Sequence, residues 1–499
     1  MRERTYTATA VMIASGALLA LLLGAHAVAP IADRMKTETF DRDPGWDHAN
    51  NRPADRGDQP VTIRQDFGFS AGTAHAGGKP GEIGGFLTAA AEPAYYAKVM
   101  PERTFDQPLS ASGTISLADG GTHLLLGFFN AGNAKEWRTP NTVSIRVNGR
   151  GDHFFAYVEY CTAAWRAGGD SPQSFPMKED PKTGRKGLVG FASGGKVHRW
   201  SLKYDPAGNG GAGVVTATID NETAICNLGE GHKADGAVFN RFGILNVSKS
   251  ADNGTDVYLD DINVNGRADS FDADPKWDAK NNRTTYATQN VRPRFDFGFS
   301  PTHFAGGKSA GELGGLTFRG DCRYPGRIAY YADRVGPLSL GKSFKAAGKV
   351  AMTRGVSDST TLFGFFNVAA ATRQNPSQSD AIPEGVLGVN IEGPSSEGFY
   401  FYPVSRPLGR GGSNASGAGA PRILPDGKPH DWAMEYDPAG AGGKGRLTVS
   451  LDGKSVHLDL NDGDKTGPTR LDHFGWVTPW IDGNGQNVYF DDLTYTAGQ

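Results

Sequence analysis

The chain has 499 residues, with 51 Lys and Arg against 54 Asp and Glu and a formal net charge of −3. That length allows two or more domains, and the near balance of interspersed charges excludes the electrostatic footprint of a nucleic-acid binder. Glycine is abundant, at 69 residues, and with many short apolar runs it points to an all-β chain rich in turns.

The N-terminus begins MRER, continues VMIASGALLALLLG and reaches AHA at Ala27. A positive start, an apolar stretch and small residues at a cleavage position predict an export signal over 1–27, cleaved or kept as an anchor. No later segment is apolar enough to cross a bilayer, so membrane association is expected only through this segment. A secreted, periplasmic or cell-surface location follows. Of three cysteines, Cys161 and Cys226 could pair, and Cys322 is the odd one.

From residue 40 onward the chain says most things twice. FDRDPGWDHANNR (40–52) returns as FDADPKWDAKNNR (271–283), and DFGFS (66–70) as DFGFS (296–300). AGGKPGEIGG (76–85) returns as AGGKSAGELGG (305–315), and LGFFN (126–130) as FGFFN (363–367). HRWSLKYDPAG (198–208) returns as HDWAMEYDPAG (430–440), and VYLDDINV (257–264) as VYFDDLTY (488–495). Repeats of this length are whole domains rather than solenoid units. The expected division is a first domain over 38–266 and a second over 269–499, joined by a few residues and in contact. The FD…W phrase would open each unit, with Phe40 and Phe271 in the core and Trp46 and Trp277 at its edge.

Within each unit the apolar residues alternate. TVSIRVNG places Val143, Ile145 and Val147 on one face and Arg146 and Asn148 on the other. GVLGVNIEG places Leu387, Val389 and Ile391 opposite Asn390 and Glu392. Period two marks half-buried strands, and no long helical period occurs in the mature chain. The predicted fold class is two tandem antiparallel β-sandwiches.

The H-x-W-x-x-x-Y-D-P and V-Y-[LF]-D-D-[IL] strands, in this order after F-D…W, resemble the concanavalin A-like lectin/glucanase superfamily in its laminin-G-like jelly-roll form. The resemblance spans both units. It implies a scaffold used by lectins, glycoside hydrolases, polysaccharide lyases and adhesion modules, so the fold alone does not name a function. It also implies a possible structural calcium where first and last strands meet, with Asp41 and Asp261, Asp272 and Asp492 as ligands. The 41–45 D-x-D-x-G is no EF-hand, because Arg52 stands where the twelfth-position glutamate is required.

The polar strand faces are the candidate binding surfaces. Arg146, Asn148, Phe155, Tyr157 and Glu159 share a face in the first unit; Asn390, Glu392, Tyr400 and Tyr402 do so in the second. On a concave sheet these would form a groove for a polysaccharide or other glycan, with rings stacking on sugars and amides and carboxylates bonding hydroxyls. The E-x-D-x-E strand of the glucanase branch is absent. A lyase would need a carboxylate neutraliser and a base, for which Arg146, Asn148, His153 and Tyr157, or Asn390, Tyr402 and Arg406, are available. Carbohydrate binding ranks first, a polysaccharide-degrading enzyme second and a cell-surface protein-interaction module third.

Overall fold

The computed structural model describes residues 34–52, 60–134, 139–179, 184, 186–247, 249–356, 358–377, 380–417 and 419–498. The expected signal segment 1–27 lies outside them. No helix among the described residues is long and apolar enough to cross a membrane.

The chain is all-β, and the strands form where the apolar residues alternate. Val143, Ile145 and Val147 of strand Thr142–Gly149 enter one core, and Leu387, Val389 and Ile391 of strand Val386–Ser395 enter another. Their neighbours face away, as the two-residue period of a strand requires. The two cores belong to two sandwiches with the same strand order. In the first, Val197–Asp205, Leu109–Leu117, Gly254–Val264, Glu82–Thr88 and Val61–Ser70 lie side by side. Facing them is a sheet ordered His153–Cys161, Thr142–Gly149, His123–Phe129, Val238–Asn246 and Tyr95–Thr104. The second sandwich repeats both sheets, its facing one ordered Gly398–Arg406, Val386–Ser395, Ser359–Phe366, Arg470–Val477 and Tyr330–Ser339.

The sandwiches do not coincide with the sequence units. Strand Arg34–Glu38 pairs with Gly485–Ala497, and Asp47–Ala49 pairs with Tyr330–Ser339, so the N-terminal arm completes the second sandwich. The matching segment after residue 266 completes the first: Asp278–Lys280 pairs with Tyr95–Thr104 and Arg283–Thr288 with Val61–Ser70. Phe40 and Trp46 therefore lie in the second core, and Phe271 and Trp277 in the first. The boundaries 38–266 and 269–499 are corrected accordingly. The physical reason is local. Asn265 and Gly266 both take positive φ, 50° and 81°, the conformation of a tight hairpin turn. That turn folds Arg267–Ala268 back onto Gly254–Val264, so what reads as a join between units is a hairpin inside one sandwich.

Three further repeated phrases also have structural jobs. The Glu312 carboxylate, fully buried, accepts the backbone N–H groups of Phe304 and Ala305 at 2.9 and 2.7 Å. Glu82 does the same for His75 and Ala76. Gly307 lies against Asp491; a Cβ there would sit 2.1 Å from the carboxylate, so only glycine fits. His198 and His430 are tied to Asp220 and Asp452 at 2.7 and 2.6 Å. Asn130 and Asn367 cap single helical turns. The sandwiches touch through Trp165, which belongs by sequence to the first but is buried in the core of the second. Beside it Arg166 reaches Glu397 at 3.4 Å, and the Ala167 N–H donates to the Ser396 carbonyl at 3.0 Å.

Candidate functional site

The outward face of the sheet that contains Thr142–Gly149, and of its counterpart that contains Val386–Ser395, carries the residues singled out from the sequence. In the first sandwich Arg146 lies opposite Tyr157, and Asn148 opposite Phe155. In the second Asn390 lies opposite Tyr402, and Glu392 opposite Tyr400. Strand register thus brings each predicted set together, with Arg146 and Asn390 in corresponding positions.

The two faces use those positions differently. In the first sandwich Arg146 is buried. It donates to Glu159 at 2.7 Å, lies 3.0 Å from His123 Nε2, and stacks its guanidinium 4.0 Å from the centre of the Tyr157 ring. Burial first, then the Arg146 charge, holds His123 well below the ordinary imidazole range. This is an internally neutralised cluster. His153, from the lyase set, pairs with the neighbouring Asp152 at 2.7 Å.

In the second sandwich the corresponding residues line a cavity of about 250 Å³. Asn390, Glu392 and Tyr402 form its floor. The Tyr402 hydroxyl donates to Glu392 Oε2 and accepts from the Asn390 amide at 3.3 Å. Burial, and then the Glu392 charge, push the Tyr402 phenol well above its ordinary value. Asn390 Oδ1 is buried and has no hydrogen-bond partner among the described residues. Buried acceptors are rarely left so, and each one calls for an explanation.

Sequence reasoning missed the rest of the site, because it comes from distant segments. Arg319 donates Nε to Thr360 at 2.8 Å, Nη1 to Asp358 at 2.6 Å and Nη2 to Glu392 at 2.6 Å. Asp380 accepts the backbone N–H groups of Ile382 at 3.0 Å and Gly412 at 2.6 Å. Leu362, Ile382, Pro479 and Ile481 supply apolar wall. One signal was present: GGFLTAA at 84–90 and GGLTFRG at 314–320 differ at every position after the shared GG, and Arg319 stands where the first unit has Ala89.

Two expectations change. The predicted ring platform is not open in this cavity: Tyr402 is 1% exposed, so its hydroxyl rather than its face is offered. Arg406 does not line the cavity; it donates to the Ile382 carbonyl at 2.8 Å and lies 5.0 Å from the Trp480 ring. The carboxylates named for calcium lie apart from this cavity. Asp41, Asp261 and Asp272 are exposed, and Asp492 accepts the Lys308 N–H at 3.2 Å. Among the described residues no group of three or more His, Cys, Asp or Glu is placed to hold a metal ion.

Comparison with known proteins yields only distant structural likeness. No family model and no curated protein matches the chain. Among solved structures, domains LG4-5 of the mouse laminin alpha1 chain are similar at 12% identity, covering 88% of this chain and 94% of that one, with a TM-score of 0.22. The carbohydrate recognition domain of Emp47p is similar at 10% identity over 41% of this chain and 89% of that one, TM-score 0.27. An endo-beta-1,4-glucuronan lyase from Trichoderma reesei is similar at 13% identity over 41% and 87%, TM-score 0.27. The strand order itself gives the fold, an antiparallel β-sandwich twice over. At these identities and scores nothing of a relative's chemistry transfers.

Proposed function

We propose that the chain is an exported carbohydrate-binding protein whose binding site is the outward-face cavity of the second sandwich. The observation that carries this reading is the buried, unpartnered Asn390 Oδ1 in a cavity with few convergent polar groups and an apolar wall. Concave sites of that mixed character are the usual form of a small-ligand site. A sugar hydroxyl donating to Asn390 would satisfy the acceptor, while its C–H surface would meet Ile382, Pro479 and Ile481. The export element of the proposal comes from the composition of residues 1–27.

Binding is favoured over lyase chemistry by the state of Tyr402. A general base needs a pKa near the working pH, whereas this phenol is pushed upward and its O–H is already hydrogen-bonded to Glu392. Arg319, the guanidinium in the cavity, is paired with Asp358 and Glu392, and Arg406 of the lyase set does not line it.

Titration calorimetry of the chain against a panel of oligosaccharides tests the reading. A binder should be found, the polymer should stay intact, and Asn390→Ala should weaken binding about ten-fold or more. Equal affinity in Asn390→Ala, or shortening of the polymer, would remove it.

A further inference from the structure

We infer that this cavity selects a sugar bearing no acidic group and rejects uronates. The inference rests on the binding reading above and names its ligand class.

Charge comes first. The cavity lining holds one guanidinium, Arg319, against two carboxylates, Glu392 and Asp380. Arg319 is moreover bracketed, with Glu392 and Asp358 each 2.6 Å away on different nitrogens. The other nearby cation, Arg406, donates to the Ile382 and Arg410 carbonyls at 2.8 and 3.0 Å and lies 3.6 Å from Glu384 and 3.9 Å from Asp380. Both cations are already matched by carboxylates of the chain. A ligand carboxylate would bring a further negative charge into a net negative, half-enclosed site, where repulsion is poorly screened.

Hydrogen-bond polarity points the same way. The Tyr402 hydroxyl donates to Glu392, and the Asn390 amide donates to Tyr402. The floor atom left with no partner among the described residues is an acceptor, Asn390 Oδ1. A hydroxyl can donate to it; an ionised carboxylate accepts only and would set acceptor against acceptor. The volume, about 250 Å³, falls below the roughly 300–1,000 Å³ of drug-sized sites, so the cavity takes a ring-sized group, such as one residue of a longer chain.

The experiment compares, on the full chain, neutral oligosaccharides with their C6-oxidised uronate counterparts, and polyuronates with their carboxyl-reduced forms. Calorimetry at two salt concentrations reads each pair. The expected result is at least ten-fold tighter binding of the neutral member of each pair, with carboxyl reduction turning a poor ligand into a good one. Glu392→Gln should narrow the gap. Equal or tighter binding of the acidic member, weakened by salt, would overturn the inference and leave the binding reading standing. Absence of binding across both series would overturn the binding reading itself, and this inference with it.

Discussion

Trp46 packs against Tyr331, their ring centroids 5.7 Å apart, inside a sandwich to which the strands from Val61 to Val264 do not belong. The counterpart contact, Trp277 on Tyr96 at 5.8 Å, is made in the other sandwich. Each copy of the repeated phrase fills the same slot, but the first copy does so across the molecule.

That exchange predicts which sandwich each tryptophan supports. Trp46→Ala should destabilise the second sandwich and Trp277→Ala the first, each by about 3–5 kcal/mol, the usual loss for a large buried ring. Hydrogen exchange resolved along the chain checks this. Faster exchange in 61–117 on Trp46→Ala, with 295–497 unaffected, would return the arm to the first sandwich.

Docking of the arm should depend on pH. His473 lies between Asp472 at 2.7 Å and Asp47 of the arm at 3.2 Å. Burial alone would lower its pKa, but Asp472 and then Asp47 outweigh it, and the net shift is upward. A raised histidine contributes stability that is complete below about 6.5 and is lost as pH rises through the folded value. Asp47 is held low, chiefly by its bond to Arg334 and less by His473, so its contribution is present above about 4 and is lost in acid. Exchange protection of 34–52 should therefore be greatest between these limits. His473→Gln should abolish the alkaline loss and leave the acid one.

Asp491 has the opposite sign from an ordinary paired carboxylate. Fully buried, with Oδ2 unpartnered among the described residues, it is pushed up to about 6, mainly by burial and secondarily by Asp492 and Glu312. The folded state holds the proton more tightly than the unfolded one, so stability falls as pH rises from about 4 to about 6. Asp491→Asn should be more stable than the parent at pH 7, on the order of 2–3 kcal/mol, and equal to it near pH 4. Thermal melts at the two pH values decide this; a less stable variant at pH 7 would mean that the negative charge is needed there.

Trp165 is the main apolar link between the sandwiches. Trp165→Ala should cost about 3–5 kcal/mol and should appear in the unfolding of the second sandwich, although the residue sits in a loop of the first. Calorimetry resolving the two transitions would show it. A shift confined to the first sandwich would contradict the packing described.

Much of this was legible beforehand. Alternation assigned Ile145 and Val147 inward and Arg146 and Asn148 outward, and did the same for Ile391 and Asn390, because a strand leaves no other choice once one face is buried. It also put Asn390 and Tyr402 on the face that they share. It could not show that Tyr402 is roofed over, that Arg319 reaches the floor, or that Asp380 arrives from a loop, because those contacts depend on segments far apart in the chain.

The same division holds for the whole protein. Sequence by itself determined the all-β class, the two sandwiches and the polar faces, since these follow from period-two patterning and turn residues acting over a few positions. Only the tertiary structure decided where the two matching phrases go and what closes the cavity. The two matching segments fill equivalent slots in opposite sandwiches: a two-residue turn at Asn265–Gly266 keeps the second copy on the first sandwich, and Trp46 packs the first copy into a core assembled from the other end of the chain.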